Sequence, residues 1–317
     1  MSVLKPWKSY QQQLDILKSR NMIISNETKA LNCLKNIGYY RLSAYWYPFR
    51  VFELKVVENK GLVSLKHDEF MKNTCFEDAI NLYKFDRKLR FILIEALELI
   101  EVSLKGNIAH VLGEKSPLAH YDISYFHPSF AKKKNNFENW QAKYLNLVDR
   151  SKEDFVKHYQ ENYQRELPIW VAAEIWDFGA LSQLFSMMKV SDQNKIAALY
   201  GNVDFKVFSS WLRSINYLRN LVAHHSRLWN RNIIDQPKLP PEGYLDWCDD
   251  FRGKADLISK PFLLFSILRY LTLNCYPQSD WKDKMKDHLL NDFPELNCDS
   301  KVSVNDIGIS ENWHEWW

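Results

Sequence analysis

From Phe76 to Leu112, apolar residues recur at intervals of three and four, with Leu89, Leu93, Ala96, Ile100 and Leu104 on one stripe. A run of that length and period folds economically only as a core α-helix, because a strand would send alternate members of the set to opposite faces. Such a helix needs helical partners, and the rest of the chain supplies them. Helices are predicted from Tyr10 to Ser19 and from Thr28 to Ile37, the second with Ser25 or Asn26 as N-cap and Gly38 as stop. In GYYRLSAYWYPFR, Pro48 ends any helix that the aromatic run forms. Residues from Val51 to Lys66 read as a hairpin around Asn59, Lys60 and Gly61. After a polar break from Gly113 to Pro128, Phe137 to Tyr163 predicts one or two exposed helices. LPIWVAAEIWDFGALSQLF opens with Pro168 at a helix start, and its Gly179 marks a close approach or a kink. A further helix starts at Asp204 as N-cap, and the last strong one runs from Pro261 to Tyr276. The closing GISENWHEWW is too aromatic for a free end and is expected to dock.

Composition supports this class. Nine Gly against twelve Trp and sixteen Tyr argue against a turn-rich all-β fold and against disorder. The expected architecture is therefore all-α, mainly helical, with one small hairpin: an N-terminal helical subdomain over 1–70 and a larger helical domain over 71–317 carrying the docked tail. With 42 basic residues against 39 acidic ones, any nucleic-acid surface must be local. Five scattered cysteines without a close pair fit a reducing compartment and suggest no metal or redox motif. The N-terminus carries no apolar leader-like region and no long uncharged apolar stretch occurs, so the reading is a cytoplasmic protein with no membrane partner.

The densest chemistry lies in RNLVAHHSRLWNR, where three arginines and two adjacent histidines fall between Arg219 and Arg231. On a helical wheel Trp211, Ile215, Leu218 and Val222 form the core stripe. Arg213, Asn220 and His224 lie opposite, joined by Arg227 and Arg231 if the helix continues. His225 falls nearer the stripe and is expected to meet the core or a neighbouring element, which makes His224 the first choice and His225 the second. Arg219 sits at the edge of the polar face. An imidazole with an ordinary pKa of about 6.5 can move a proton at neutral pH, and a guanidinium can grip a phosphate through two donors. Together these groups suit RNA cleavage by the ribose 2′-OH, with Arg219, Asn220 and His224 as the catalytic set and no metal or other cofactor. A surface helix with scattered Arg and His that catalyses nothing is the plain alternative.

RNLVAHH resembles the Arg-x4-6-His signature of HEPN domains, with Asn220 as the polar residue after the arginine. The wider surroundings resemble the AbiD/AbiF-like group of abortive-infection proteins. The matching segments are IGYYRLSAYWYPF, FDRKLRFILIEALELIEVSLK, LPIWVAAEIWDFGALSQLF, RNLVAHHSRLWNR and the Trp-bearing GISENWHEWW, together nearly the whole chain. That resemblance implies a HEPN-like helical bundle, phage defence by growth arrest, and an endoribonuclease site facing RNA. It also implies a homodimer in which two motifs share one groove, and a structured small RNA as a further partner. Pairing would help the geometry, since Arg219 and His224 stand about 140° apart on an ideal helix. Arg227 and Arg231 match only the extended pattern and read as phosphate contacts, with Arg213. Glu101 falls on the helix that HEPN folds pack beside the motif, where it would orient Arg219 or His224; an i,i+4 pair with Lys105 is the simpler reading.

Three other features have two readings each. Arg41, among Tyr39, Tyr40 and Tyr45, is either part of an RNA-stacking patch or an arginine buried in the N-terminal subdomain. Lys132, Lys133 and Lys134 are a solvated run or a phosphate contact. His120, Asp122 and His127 have room for a metal, but with no regular element to pin them they read as loop residues. Against the ribonuclease stands a second class of function, a module that binds a structured RNA or a partner protein without cleaving it, and a third, a scaffold for another toxin.

Overall fold

Helix-forming sequence dominates the chain, and the computed structural model, which describes residues 4–57, 61–129, 136–162 and 166–317, is mainly helical. Among the described residues there are fifteen α-helices and one two-stranded hairpin. The chain divides into two compact units.

The first unit comprises residues 1–89 and 287–306. Its N-terminal helices are α1 (Tyr10–Ser19), α2 (Glu27–Asn36) and α3 (Tyr39–Trp46). Ser9 and Gln12 close a reciprocal capping box on α1, and the Asn26 side chain caps α2, so both starts satisfy backbone donors that a helix end would leave unpaired. Gly38 stops α2 as expected: it follows the C-cap Ile37, and its N–H donates to the Leu34 carbonyl at 3.1 Å. It precedes α3 with φ at +93°, a conformation that glycine reaches without a Cβ clash. A 3-10 turn over Tyr47–Phe49 carries Pro48, and β1 (Arg50–Val57) then pairs antiparallel with β2 (Gly61–Phe70). The tip at Asn59 and Lys60 lies outside the described residues. Leu14, Leu17, Leu34, Leu42, Trp46 and Phe76 are buried in this unit. Asp78, fully buried, accepts hydrogen bonds from the backbone and side-chain nitrogens of Asn297, both at 2.9 Å, and so ties the late segment 287–306 into the unit.

The second unit comprises residues 90–286 and 307–317. The long predicted helix is α4 (Phe76–Gly113), of which this unit holds the part from Arg90 onward. Next come α5 (Asn136–Arg150) and α6 (Asp154–Asn162). They are not simply exposed: Phe137, Trp140, Tyr144 and Val148 of α5 are buried, one apolar face of an amphipathic helix. The LPIW segment breaks into α7 (Ile169–Ile175) and α8 (Phe178–Met187), because Asp177 turns extended and its carboxylate caps the Ala180 N–H at 2.7 Å. Then come α9 (Val190–Ala198) and α10 (Phe205–Ala223), the latter capped by Asp204. Beyond α10 lie α11 (Asp246–Asp249), α12 (Ala255–Ile258), α13 (Phe262–Cys275), α14 (Trp281–Asn291), of which this unit holds the part up to Lys286, and α15 (Trp313–Trp316).

The tail docks as expected. Trp316 donates to Asp250 Oδ2 at 2.7 Å, Trp317 donates to the Lys282 carbonyl at 2.9 Å, and Arg269 lies over both indoles. Phe262, fully buried, packs on Trp313, Trp316 and Trp317. Burying one such side chain stabilises a fold by about 1.5–3 kcal/mol, so the aromatic end acts as a clasp on the unit.

His120 of the considered metal trio is fully buried against the rings of Tyr121, Tyr144 and Trp176. Among the described residues no group of three candidate ligands comes together. No helix in them is long and apolar enough to cross a membrane.

Candidate functional site

The motif occupies the C-terminal end of α10. Trp211, Ile215, Leu218 and Val222 are buried along one stripe, so the opposite face is turned outward by the same packing that holds the helix. Asn220 and His224 are exposed there, and Arg219 is about one-third exposed at the edge.

The helix does not continue through the motif. Its last regular residue is Ala223, and His224 is the C-cap. The Ser226 N–H donates to the Leu221 carbonyl at 2.8 Å and the His225 N–H to the Val222 carbonyl at 3.0 Å, the paired bonds of a Schellman termination. His225 takes the left-handed position with φ at +55°. That turn overrides the wheel: His225 is exposed rather than directed into the core. Arg227 and Arg231 likewise leave the polar face of α10 for the loop beyond it. The Arg227 guanidinium donates to the Asn230 carbonyl at 3.2 Å, and Leu228 and Trp229 are fully buried between the two arginines.

Two residues of α4 frame the motif. Glu101 Oε2 lies 4.0 Å from Arg219 Nε and Oε1 lies 3.4 Å from Lys105 Nζ, so the carboxylate sits between two cations and both readings of Glu101 hold in geometry. Buried Arg90 donates to the Ser226 carbonyl at 3.2 Å and pins the turn that follows the histidines. Arg90 was missed in the sequence, although a cation beside the apolar stripe of a core helix is the signal that would have found it. Arg219 and Glu101 open onto a hollow of about 320 Å³ whose other walls are Ile94, Leu97, Glu98, Val102, Val222 and Ala223.

Arg213, on an earlier turn of α10, is exposed and lies 3.8 Å from Asp235. Arg41 is in the first unit and is exposed on α3, not buried. Lys132, Lys133 and Lys134 lie outside the described residues.

No curated protein and no solved structure matches the chain. A family model described as Abi-like protein matches residues 32–230, a span that runs from α2 through the whole of α10 and includes Arg219, Asn220 and His224. With that match over more than half its length, the chain belongs to the Abi-like family, a membership that points to abortive-infection phage defence.

Proposed function

We propose that this protein is a HEPN-type, metal-independent endoribonuclease whose activity arrests growth after infection. One observation carries the reading: at a single helix end, an arginine backed by a carboxylate stands with an exposed amide and an exposed imidazole. In the reaction an imidazole takes the proton of a ribose 2′-OH, the 2′-oxygen forms a bond to the adjacent phosphorus, and the bond from phosphorus to the 5′-oxygen breaks. The leaving 5′-oxygen takes a proton from a second acid. Arg219 balances the added negative charge of the phosphorane. Products are a 2′,3′-cyclic phosphate and a 5′-OH, and DNA is inert because it lacks the nucleophile.

One chain brings one His224 to this chemistry, and a base and an acid are needed together. A second copy would supply the other. Phe91, Ile94 and Val102 of α4 are 60%, 44% and 53% exposed, and two of them line the Arg219 hollow. Apolar side chains of that size beside a polar site suit a self-complementary, two-fold contact that brings two motifs face to face.

The test is digestion of cellular RNA by purified protein in the presence of a chelator, beside His224→Ala and Arg219→Ala. Removing a positioned acid or base costs about 10²–10⁴ in rate, and His224→Ala, at an exposed position, should keep the wild-type melting temperature, while Arg219→Ala loses only a partly exposed ion pair, worth about 1 kcal/mol or less. Cleavage that persists in His224→Ala refutes the mechanism. Tight retention of one RNA without cleavage replaces it with a binding module.

A further inference from the structure

Along the flank of α10 from Phe205 to Asn216, before the motif, residues of α8, α9 and α10 line a cleft of about 920 Å³. Its lining includes Lys206, Arg213, Lys238 and His127 and, among the described residues, no carboxylate, the rest being mainly serine hydroxyls and the amides of Gln183, Gln193 and Asn216. The overall charge of the chain is nearly balanced, so a carboxylate-free lining is a local departure from composition. Arg213 faces one acid, Asp235, at 3.8 Å with both side chains largely in solvent, an arrangement worth little against a competing phosphate.

The cleft is held in shape. Ser210 Oγ accepts the Lys238 N–H at 2.9 Å and Trp211 Nε1 donates to the Lys238 carbonyl at 2.8 Å, which fixes that loop on α10 and sets the lysine at the mouth. The His127 N–H donates to the Met187 carbonyl at 3.0 Å, and its Nδ1 accepts from the Ser129 N–H at 3.2 Å, so the neutral ring carries its proton on Nε2. Beyond a waist at Gly179 and Asn216 the cleft opens into a second depression with Lys143 and Arg150 at its rim. Asp177 lines that depression too, its carboxylate engaged in capping α8. Gly179 keeps the waist open, since even a methyl group there would meet Asp177 Oδ1 at 3.3 Å and Asn216 Oδ1 at 3.4 Å. Five exposed cations thus flank one continuous groove.

The groove leads to the motif. Arg213, Asn216 and Asn220 follow one another at spacings of three and four on α10, and the rise from Arg213 to Asn220 is about 10 Å. We propose that this groove is a single-stranded RNA track that holds the strand by its phosphates and delivers it to the Arg219 end of α10, an inference that rests on RNA being the ligand of the motif. Cations spaced along a channel, with amides and hydroxyls between them, follow a phosphodiester backbone without reading its sequence. The half-buried Phe205 ring in the lining, with Lys206 Nζ 5.7 Å from its centroid, offers a base a face to stack on.

The test separates binding from cleavage. Fluorescence anisotropy would follow a short, unstructured, 5′-labelled 2′-O-methyl RNA, which binds but has no free nucleophile, across a salt series. The proteins are wild type, His224→Ala, the double variant Lys206→Gln with Arg213→Gln, and a charge-matched control, Lys157→Gln with Lys254→Gln, two exposed lysines outside the cleft. His224→Ala and the control should bind like wild type. The cleft variant should bind at least tenfold more weakly, with the slope of log K against log salt reduced by about 1.4, the loss of two phosphate contacts on a single strand. Cleft and control variants that weaken equally, or a duplex that binds as tightly as the single strand, overturn the track and leave the ribonuclease reading intact. A wild type that neither binds nor cleaves RNA overturns both. Because every substituted side chain is exposed, a matching thermal melt verifies the fold.

Discussion

His120 should make the second unit sensitive to acid, and replacing it should remove that sensitivity. The imidazole is fully buried, and neither ring nitrogen has a hydrogen-bond partner among the described residues. Its ring lies 4.2 Å from Tyr121, 5.3 Å from Tyr144 and 5.8 Å from Trp176, centroid to centroid. Desolvation pushes its pKa down from 6.5 to about 3. The folded pKa therefore lies below the unfolded one, so the neutral ring contributes its full stability above pH 6.5 and loses it as pH falls, because the unfolded chain takes up a proton that the folded chain refuses. At 1.36 kcal/mol per pH unit, going from pH 7.5 to pH 5 costs about 2 kcal/mol through this residue alone. The neighbouring Tyr144 phenol is pushed further up by burial and does not titrate in that window. In His120→Phe this component vanishes. The variant should also be no less stable than wild type at pH 7.5, since two unpartnered buried nitrogens, each costing about 1–3 kcal/mol, are replaced by carbon. Urea unfolding at pH 7.5 and pH 5, with m-values compared to exclude a change in the denatured state, reads both effects. Equal loss of stability in the two proteins between those pH values would refute the reasoning and place the acid-sensitive groups elsewhere.

Three further outcomes are expected. Glu101→Gln keeps the shape of the carboxylate but removes its charge from between Arg219 and Lys105; cleavage should fall about tenfold or more while stability changes by less than about 1 kcal/mol, as for a partly exposed pair, and an unchanged turnover number would leave Glu101 as a surface partner of Lys105. His225→Gly relieves a left-handed backbone position in a side chain with a Cβ and should stabilise the protein by up to about 1 kcal/mol in denaturant titration; lost cleavage with that gain would show that the second histidine takes part in the chemistry. Phe91→Glu with Ile94→Glu puts charge on the apolar strip beside the motif, so sedimentation should show monomers and cleavage should become undetectable, whereas an active monomer would remove the need for a second copy.

Periodicity and end signals are local properties, and they made most of the elements legible. The recurrence of Leu89, Leu93, Ala96, Ile100 and Leu104 sets α4 in the core, and the caps at Asn26 and Asp204 start α2 and α10 where their side chains satisfy the first N–H groups. The polar face of α10 up to Asn220 was equally readable, since burying Trp211, Ile215, Leu218 and Val222 leaves it no other direction. At His224 that logic stops, because a wheel assumes a helix and the Schellman turn ends one, carrying His225 outward and Arg227 off the polar face. Contacts between residues far apart in the chain lay beyond periodicity and spacing, and the Glu101 approach to Arg219, 118 residues away, was expected only from the family resemblance. The Arg90 hold on the Ser226 carbonyl, 136 residues away, and the groove between α8, α9 and α10 were legible in no motif. Sequence determined which faces are apolar, because burial is a property of each residue's chemistry; which faces meet depends on how whole helices pack, and only the tertiary structure decided that.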